Sequence, residues 1–489
     1  MKNAKAALEE IVGAQNVIDD ASVIESYSSD QSDAPRRRPH FVVRPKTAAE
    51  VQALVIWANE TCTPLVAVSS GSPHFHGDTV PCRPESVIVD LSRMNTIKRI
   101  DRRNRIVVIE PGVTYAELET ALSAHGLRIS QPLLPRANKS VVASLLERQP
   151  TTIPRFNFSL PEPLRNCGVV WGTGEIAFTG EAGNGQMNLE EQWKSGVAQV
   201  DPKGPNATDL MRLVTGAQGT MGIVVWASVK CELLPEAKRC VFVTGRRLAE
   251  LVDFCYKIER IRLGDEVLCV NAAQLATMLQ GSSAELTELR KFLPAWTVII
   301  ALAGAGLYPE QRVQVQELDL NCIAQQCGLA INQCLPRVSA TAVQQALDRC
   351  SPEPYYKLKG KGAFEEIFFL TTLNKVPGFV ETVIEIAAEN NYDLSHLGIY
   401  IQPQHQGVTQ HVEFSLPFDP ADRIEAEKVR RIVAAASEAL MQQGAYFSRP
   451  YGAWAEMVFN RDTQATRILR TVKQIVDPKN VLNPGKLCF

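Results

Sequence analysis

Two stretches of this 489-residue chain combine residue types and spacings that could do chemistry, and a third set of residues looks as if it could. The first stretch is VAVSSGSPHFHGDTVP, Val66 to Pro81, where an apolar run ends in Ser69, Ser70, Gly71 and Ser72, followed by His74. Small residues at a strand end let several backbone N–H groups approach one anion, so this turn could cradle a phosphate. The pattern is neither G-x-G-x-x-G nor a P-loop, and an ordinary surface turn would use the same residues. The second stretch is GIYIQPQHQGVTQHVEF, Gly398 to Phe414, with His405 and His411. Imidazole is suited to taking a hydroxyl proton near neutral pH. In an alternating strand Glu413 shares the face of His411 and could orient its ring. A structural histidine on a half-buried strand is the competing reading, and Tyr400 is a further pocket candidate. The third set is twelve cysteines. Cys322, Cys327 and Cys334 are five and seven apart, not C-x-x-C, so they read as scattered thiols rather than a zinc or iron–sulfur site. Cys231 and Cys240 read the same way.

The composition narrows the function classes. Acidic residues number 53 and basic residues 51, and a net charge of −2 argues against a nucleic-acid binder or a protein held to membranes by charge. Glu9 and Glu10 stand where a signal peptide needs an apolar run. The longest apolar stretch, Trp296 to Tyr308, is far short of the ~20 residues that span a bilayer. A cytoplasmic location with reduced thiols is therefore expected. At roughly 150 residues per domain the length suggests about three structural units, large enough to bury a core without disulfide staples.

The elements that would position these residues form an α+β pattern. Residues 1–35 read as a helical lead-in. Strands are expected at Phe41–Pro45, Pro64–Gly71, Ser86–Leu91 and Arg105–Gly112. A helix is expected over Thr47–Thr61, with Thr47 as N-cap and Glu50 at capping-box spacing. A second helix over Thr114–Gly126 would stop at Gly126. Cys167–Gly180 reads as a hairpin with Gly172 and Gly174 in its turn, and that context argues against a dinucleotide fingerprint in GTGEIAFTG. Gly219–Pro235 reads as a long strand, and Thr463–Val476 as a helix.

The blocks VDLSRMN (Val89–Asn95), EPGVTYAEL (Glu110–Leu118), TGAQGTMGIVVWASVK (Thr215–Lys230) and NPGK (Asn483–Lys486) occur in that order. On these the chain resembles the vanillyl-alcohol oxidase/p-cresol methylhydroxylase (PCMH-type) family of FAD proteins, over nearly its whole length and most weakly in the middle. The resemblance implies a two-subdomain PCMH-type FAD-binding domain (36–236), an α+β substrate or cap domain with an antiparallel sheet (237–450), and a C-terminal segment (451–489) returning to the FAD domain. It implies FAD contacts at Ser69, Ser70, Gly71, Ser72 and His74 around the pyrophosphate. Further contacts are implied at Gly112, at Pro135, Ser140 and Ser144 in a second loop, at Gly222 and Ile223, and at Lys486. Pro73 stands at the covalent-histidine position of the family, so non-covalent FAD is expected.

One branch of the family binds a divalent metal through H-x-G-D-G-N-x-H and a later glutamate. Here His405 and His411 are six apart, the Asp and Asn are absent, and Arg449 stands about where the glutamate would be. A cation there would repel a metal, so none is expected. The aromatic-substrate branch holds a phenolate with an arginine and tyrosines, and Arg449 with Tyr446 and Tyr451 resembles that arrangement. A guanidinium fork suits a carboxylate equally well; a surface salt bridge is the plain alternative for Arg449. The expected activity is hydride transfer from a small anionic substrate, a 2-hydroxy acid such as lactate or glycolate, to FAD, with His411 or His405 as base. An electron-transfer flavoprotein or iron–sulfur partner would take the electrons, and a homodimer is in keeping with the family. The alternatives are oxidation of a para-substituted phenol or aryl alcohol, or an FAD relay subunit without a substrate of its own.

Overall fold

The computed structural model describes residues 2–154, 162–184, 188–196, 208–279, 281–405 and 407–489. Near the N-terminus, short Val/Ile-rich runs pair as β1 (Val17–Ile18), β2 (Phe41–Val43), β3 (Leu65–Val68) and β4 (Val87–Asp90), in the order β1-β2-β4-β3. The last three are parallel, and β1 joins β2 antiparallel, so the lead-in is part of this sheet. Such strands are apolar throughout because both faces are covered. The helix Ala48–Thr61 makes the crossover from β2 to β3: the Thr47 side chain accepts the Glu50 N–H, and Val51, Leu54, Val55 and Ala58 are buried. Leu8 and Val12 of the helix Lys2–Val12 pack into the same core.

The second subdomain is built on one long strand. β5 (Ile97–Asp101), β6 (Ile106–Ile109), β7 (Leu127–Ile129), β8 (Leu164–Trp171), β9 (Ile176–Phe178) and β10 (Gly222–Leu233) form a sheet ordered β5-β6-β10-β8-β9, with β7 on the far end of β10. The expected hairpin is the β8–β9 pair, with Gly174 at φ 88 in the turn. The expected Thr114–Gly126 helix runs Tyr115–Ser123 behind a complete Thr114/Glu117 capping box.

The cap domain is a seven-stranded sheet. Its strands are β11 (Ala237–Gly245), β12 (Glu266–Asn271), β13 (Trp296–Gly304), β14 (Ile331–Asn332), β17 (Ala363–Thr371), β18 (Gly398–Gln404) and β19 (Thr409–Phe418), ordered β14-β11-β13-β12-β18-β19-β17. A separate ribbon joins β15 (Cys334–Leu335) to β16 (Val338–Ser339). Alternation decides what each face does. Ile367, Phe369, Ile399, Ile401, Val412 and Phe414 point into one core, covered by the helices Val376–Glu389 and Arg423–Gln442. On the opposite face, the helices Ala272–Leu279 and Ala340–Asp348 cover the β11–β13 half. The β17–β19–β18 half is left to meet the FAD-binding subdomains. No helix of the described residues is long and apolar enough to cross a membrane.

The C-terminal segment returns to the first sheet. Leu65 donates to Val481 O at 2.7 Å and accepts from Asn483 N–H at 2.8 Å, so the tail lies along the free edge of β3. Buried Lys473 anchors it: Nζ donates to Thr220 O at 2.5 Å and Leu482 O at 3.1 Å and pairs with Asp477. Asp477 in turn accepts the N–H groups of Val481 and Leu482 at 3.0 and 2.9 Å. Removing one partner of a buried ion pair costs about 3–5 kcal/mol. Lys473→Met should lower unfolding free energy by about that amount and expose the Val481 and Leu482 amides to hydrogen exchange. Unchanged protection at those amides would contradict this anchoring role.

Candidate active site

Where the end of β3 meets the uncovered half of the cap sheet, a cavity opens between the domains. Its floor is three loops stitched together. Ser70 Oγ accepts the Ser140 N–H at 3.1 Å, Arg136 Nη1 donates to Gly71 O at 2.9 Å, and Asn138 Nδ2 donates to Ser72 O at 3.1 Å. The C-terminal Lys486 Nζ donates to Gly77 O at 2.6 Å. Pro135 O accepts from Ser351 N–H of the cap at 2.7 Å, tying the second loop to the other domain. A Cβ at Gly71 would lie 3.0 Å from Asn138 Nδ2, so the amide that ties these loops would have to give by a few tenths of an ångström.

Across the cavity, the β17–β19–β18 register sets Glu413 opposite Tyr400 and Phe368, and His411 opposite Gln402. Lys357 Nζ donates to Glu413 Oε1 at 2.5 Å and also pairs with Glu366. Glu413 Oε2 lies 3.4 Å from His411 Nε2. Burial alone would lower Lys357, but the two carboxylates hold it well above the ordinary lysine range. Burial alone would raise Glu413, but Lys357 and the His411 contact hold it below the carboxylate range. Burial pushes His411 down to about 4, against the opposing pull of Glu413. An ionised Glu413 accepts from Nε2–H, which leaves the lone pair on Nδ1.

Arg449 is only 6% exposed, its guanidinium carbon 4.0 Å from the centroid of the Phe368 ring. Among the described residues no carboxylate lies within ion-pair distance of it. A cation–π contact contributes about 0.5–2 kcal/mol, less than burying a lone charge costs, so this arginine calls for an anion from outside the chain.

The residues singled out in the sequence divide into two groups. Ser69, Ser70, His74, Pro135, Tyr400, Glu413 and Arg449 line the inter-domain cavity, and His411 and His405 line an adjoining chamber that also reaches Arg449. Gly71 and Ser72 are held in the floor by the hydrogen bonds above, and Lys486 clasps the same loop. The other expected contacts do not line the cavity, for physical reasons. Gly112 is a packing glycine, since a Cβ there would meet the carbonyls of Leu91, Ser92 and Met94 at 2.7–2.9 Å. Ser140 is a buried N-cap whose Oγ donates to Pro111 O at 2.5 Å. Ser144 is consumed by Gln149 and Tyr115, at 2.6 and 2.8 Å. Gly222 and Ile223 are buried in β10, where Val169 would clash with a Cβ at Gly222. Tyr451 stacks on His76 at 4.5 Å, and Tyr446 is 63% exposed at the mouth of the adjoining chamber, so neither completes a phenolate clamp inside the cavity. Arg449 is buried, which overturns the surface salt-bridge alternative.

Sequence reasoning missed Lys357 and Glu366, which belong to no motif. It also missed Arg136 and Lys139, although both stand between Pro135 and Ser140 in the second loop. These two cations face the first loop, and burial together with their charges pushes His74 down to about 4. Asp78 and Glu147 also line the cavity. Glu147 is paired with Lys139 at 2.6 Å, and burial with Glu147 pushes Asp78 up to about 6. Small residues, hydroxyls and two cations on the floor suit a pyrophosphate. Tyr355, Tyr356, Phe364 and Phe368 supply a wall for a flat ring. The residues present thus fit FAD, with Ser69, Ser70, His74, Arg136 and Lys139 on the phosphate side.

The FAD binding domain family matches residues 39–144. Superposition on p-cresol methylhydroxylase with substrate bound gives a TM-score of 0.81 at 16% identity, covering 100% of this chain and 96% of that one. The 4-ethylphenol oxidase from Gulosibacter chungangensis gives 0.82 at 18%, covering 99% and 96%. The chain has an FAD-binding domain and the fold of the PCMH-type flavoproteins. Curated relatives over its full length include an uncharacterised FAD-linked oxidoreductase of Mycobacterium tuberculosis, 23% identical over 99% of both chains. Glycolate oxidase subunit GlcD of Bacillus subtilis is 22% identical over 99% of this chain and 97% of that one. This flavoprotein is an FAD-dependent oxidoreductase.

The His411 shift sets a pH dependence. Its folded pKa is depressed below the unfolded value of about 6.5, so the neutral ring contributes stability that is present above pH ~6.5 and lost as pH falls toward about 4. NMR titration of the His411 imidazole should find it neutral down to about pH 4. A midpoint near 6.5 would show that burial does not govern this ring.

Proposed function

We propose that the protein oxidises a small 2-hydroxy acid to the 2-oxo acid. The observation that carries this reading is the buried Arg449 guanidinium, facing the cavity with no carboxylate of the described residues within ion-pair distance. A planar fork of donors suits a substrate carboxylate, held by two parallel hydrogen bonds. His411 accepts the substrate hydroxyl proton at Nδ1, because Glu413 engages Nε2. Glu413 fixes the tautomer and stabilises the imidazolium that forms, and Lys357 keeps Glu413 ionised. Bound FAD supplies the acceptor for the electron pair and hydrogen that leave the substrate carbon. The aromatic wall of Tyr355, Tyr356, Phe364 and Phe368 keeps water from the reacting carbon.

A carboxylate is favoured over a phenolate at Arg449 because Tyr451 is stacked on His76 and Tyr446 is turned out to the exposed mouth of the adjoining chamber. The full-length likeness to glycolate oxidase subunit GlcD supports the same class. Anaerobic mixing of the FAD-loaded protein with lactate or glycolate should bleach the flavin. Breaking a buried charge pair costs about 2–5 kcal/mol, so Arg449→Met should raise the substrate Kd roughly 100-fold while FAD stays bound. Bleaching by 4-alkylphenols alone, or an unchanged Kd in Arg449→Met, would overturn the reading.

A further inference from the structure

The second chamber, of about 480 Å³, adjoins the inter-domain cavity and shares Gln149, Pro150 and Arg449 with it. Its charge is unbalanced. Three cations line it among the described residues: Arg449 at the inner end, Lys375 on an exposed position, and Arg148, exposed as a residue but with its guanidinium partly covered. The one carboxylate among the described lining residues, Glu162, is already matched by Arg165 at 2.6 Å and Lys230 at 3.6 Å. Burial pushes His405 and His411 down, so neither adds charge near neutral pH, and neither removes any.

Arg148 is placed there at some cost. It follows the helix Val141–Leu146 in the left-handed region, at φ 56, which non-glycine residues rarely adopt. Its one described side-chain hydrogen bond is a long one, 3.4 Å from Nη2 to Thr215 O. Arg449 is close enough to lower the pKa of Arg148 further, after burial. Lys375 stands at the N-terminus of the helix Val376–Glu389, whose dipole adds to the positive potential. Among the described residues neither Arg148 nor Lys375 has a carboxylate within ion-pair distance. A monoanion at Arg449 would neutralise one of these three cations and leave two.

We infer that the substrate carries a second anionic group, which rests against Arg148 and Lys375 while its 2-hydroxy carboxylate sits at Arg449. This inference rests on the hydroxy-acid reading and narrows it to hydroxy acids with a distal carboxylate or phosphate. His405 and Tyr446, at the same mouth, flank the distal group rather than the reacting carbon.

Titration calorimetry on the FAD-loaded protein with non-oxidisable probes tests this apart from turnover. Glutarate and 3-phosphonopropionate each present two anionic ends, and butyrate presents one. At least one doubly anionic probe should bind about tenfold tighter than butyrate, the gain two partly exposed ion pairs give together. Which of the two gains more identifies the distal group as carboxylate or phosphate. The Arg148→Gln/Lys375→Gln double variant should lose that excess and keep the butyrate Kd. Equal affinity for all three probes, or an excess that survives the double variant, would overturn the inference. If the butyrate Kd responds to Arg449→Met but no probe gains from a second charge, only the second subsite falls. If no probe responds to Arg449→Met, the hydroxy-acid reading falls with it.

Discussion

A guanidinium taken out of water must find a counter-charge, and at Arg449 the described chain offers the face of Phe368 and no carboxylate within ion-pair distance. The structure tolerates this because Arg449 stands at the meeting of two cavities, where a ligand can supply the anion. Several other charges of the inner cavity have charged partners within the chain, and Arg136 is engaged by Gly71 O and Asn138 Oδ1. Lys357 sits between Glu366 and Glu413, and Lys139 holds Glu147. Against those engaged groups, a buried guanidinium held only by an aromatic face marks where a substrate anion belongs. The same contrast separates Arg449 from Lys473, which is equally buried but fully engaged by Asp477 and two carbonyls.

The site exists because each domain leaves one surface unfinished. The cap sheet buries both faces of its β11–β13 half under helices but only one face of its β17–β19–β18 half. Period-two alternation then brings Phe368, Tyr400, His411 and Glu413 onto the uncovered face, opposite the end of β3. The FAD-binding side contributes loops rather than a packed surface. Those loops are held by hydrogen bonds from Arg136, Asn138, Ser140 and Lys486, and by the tail along β3. Substrate groups are therefore presented from a rigid sheet, and cofactor groups from a floor clasped at both ends.

Local patterns in the sequence were legible where local rules govern. The Thr47 and Thr114 caps, the β8–β9 hairpin and the long β10 follow from capping chemistry, turn glycines and apolar alternation. The pairing of His411 with Glu413 was readable from spacing alone, since both lie on one face of one strand. What spacing could not reveal was Lys357, which reaches Glu413 from a segment 56 residues away. Nor could it separate contacts to the cofactor from contacts within the fold. Ser140 and Gly112 occupy motif positions, yet one caps a helix and the other admits three carbonyls. Tyr446 and Tyr451 flank Arg449 in sequence, but the chain turns one outward and stacks the other on His76.

The central claim is that Arg449 is the anchor for a substrate carboxylate beside the flavin. A crystal structure of the FAD-loaded protein with oxalate, a non-oxidisable stand-in for the substrate, tests it most directly. The account predicts an oxalate carboxylate in a two-pronged hydrogen bond with the Arg449 guanidinium, within reach of His411. Oxalate bound elsewhere, or Arg449 paired instead to the cofactor or to a carboxylate of the chain, would contradict it.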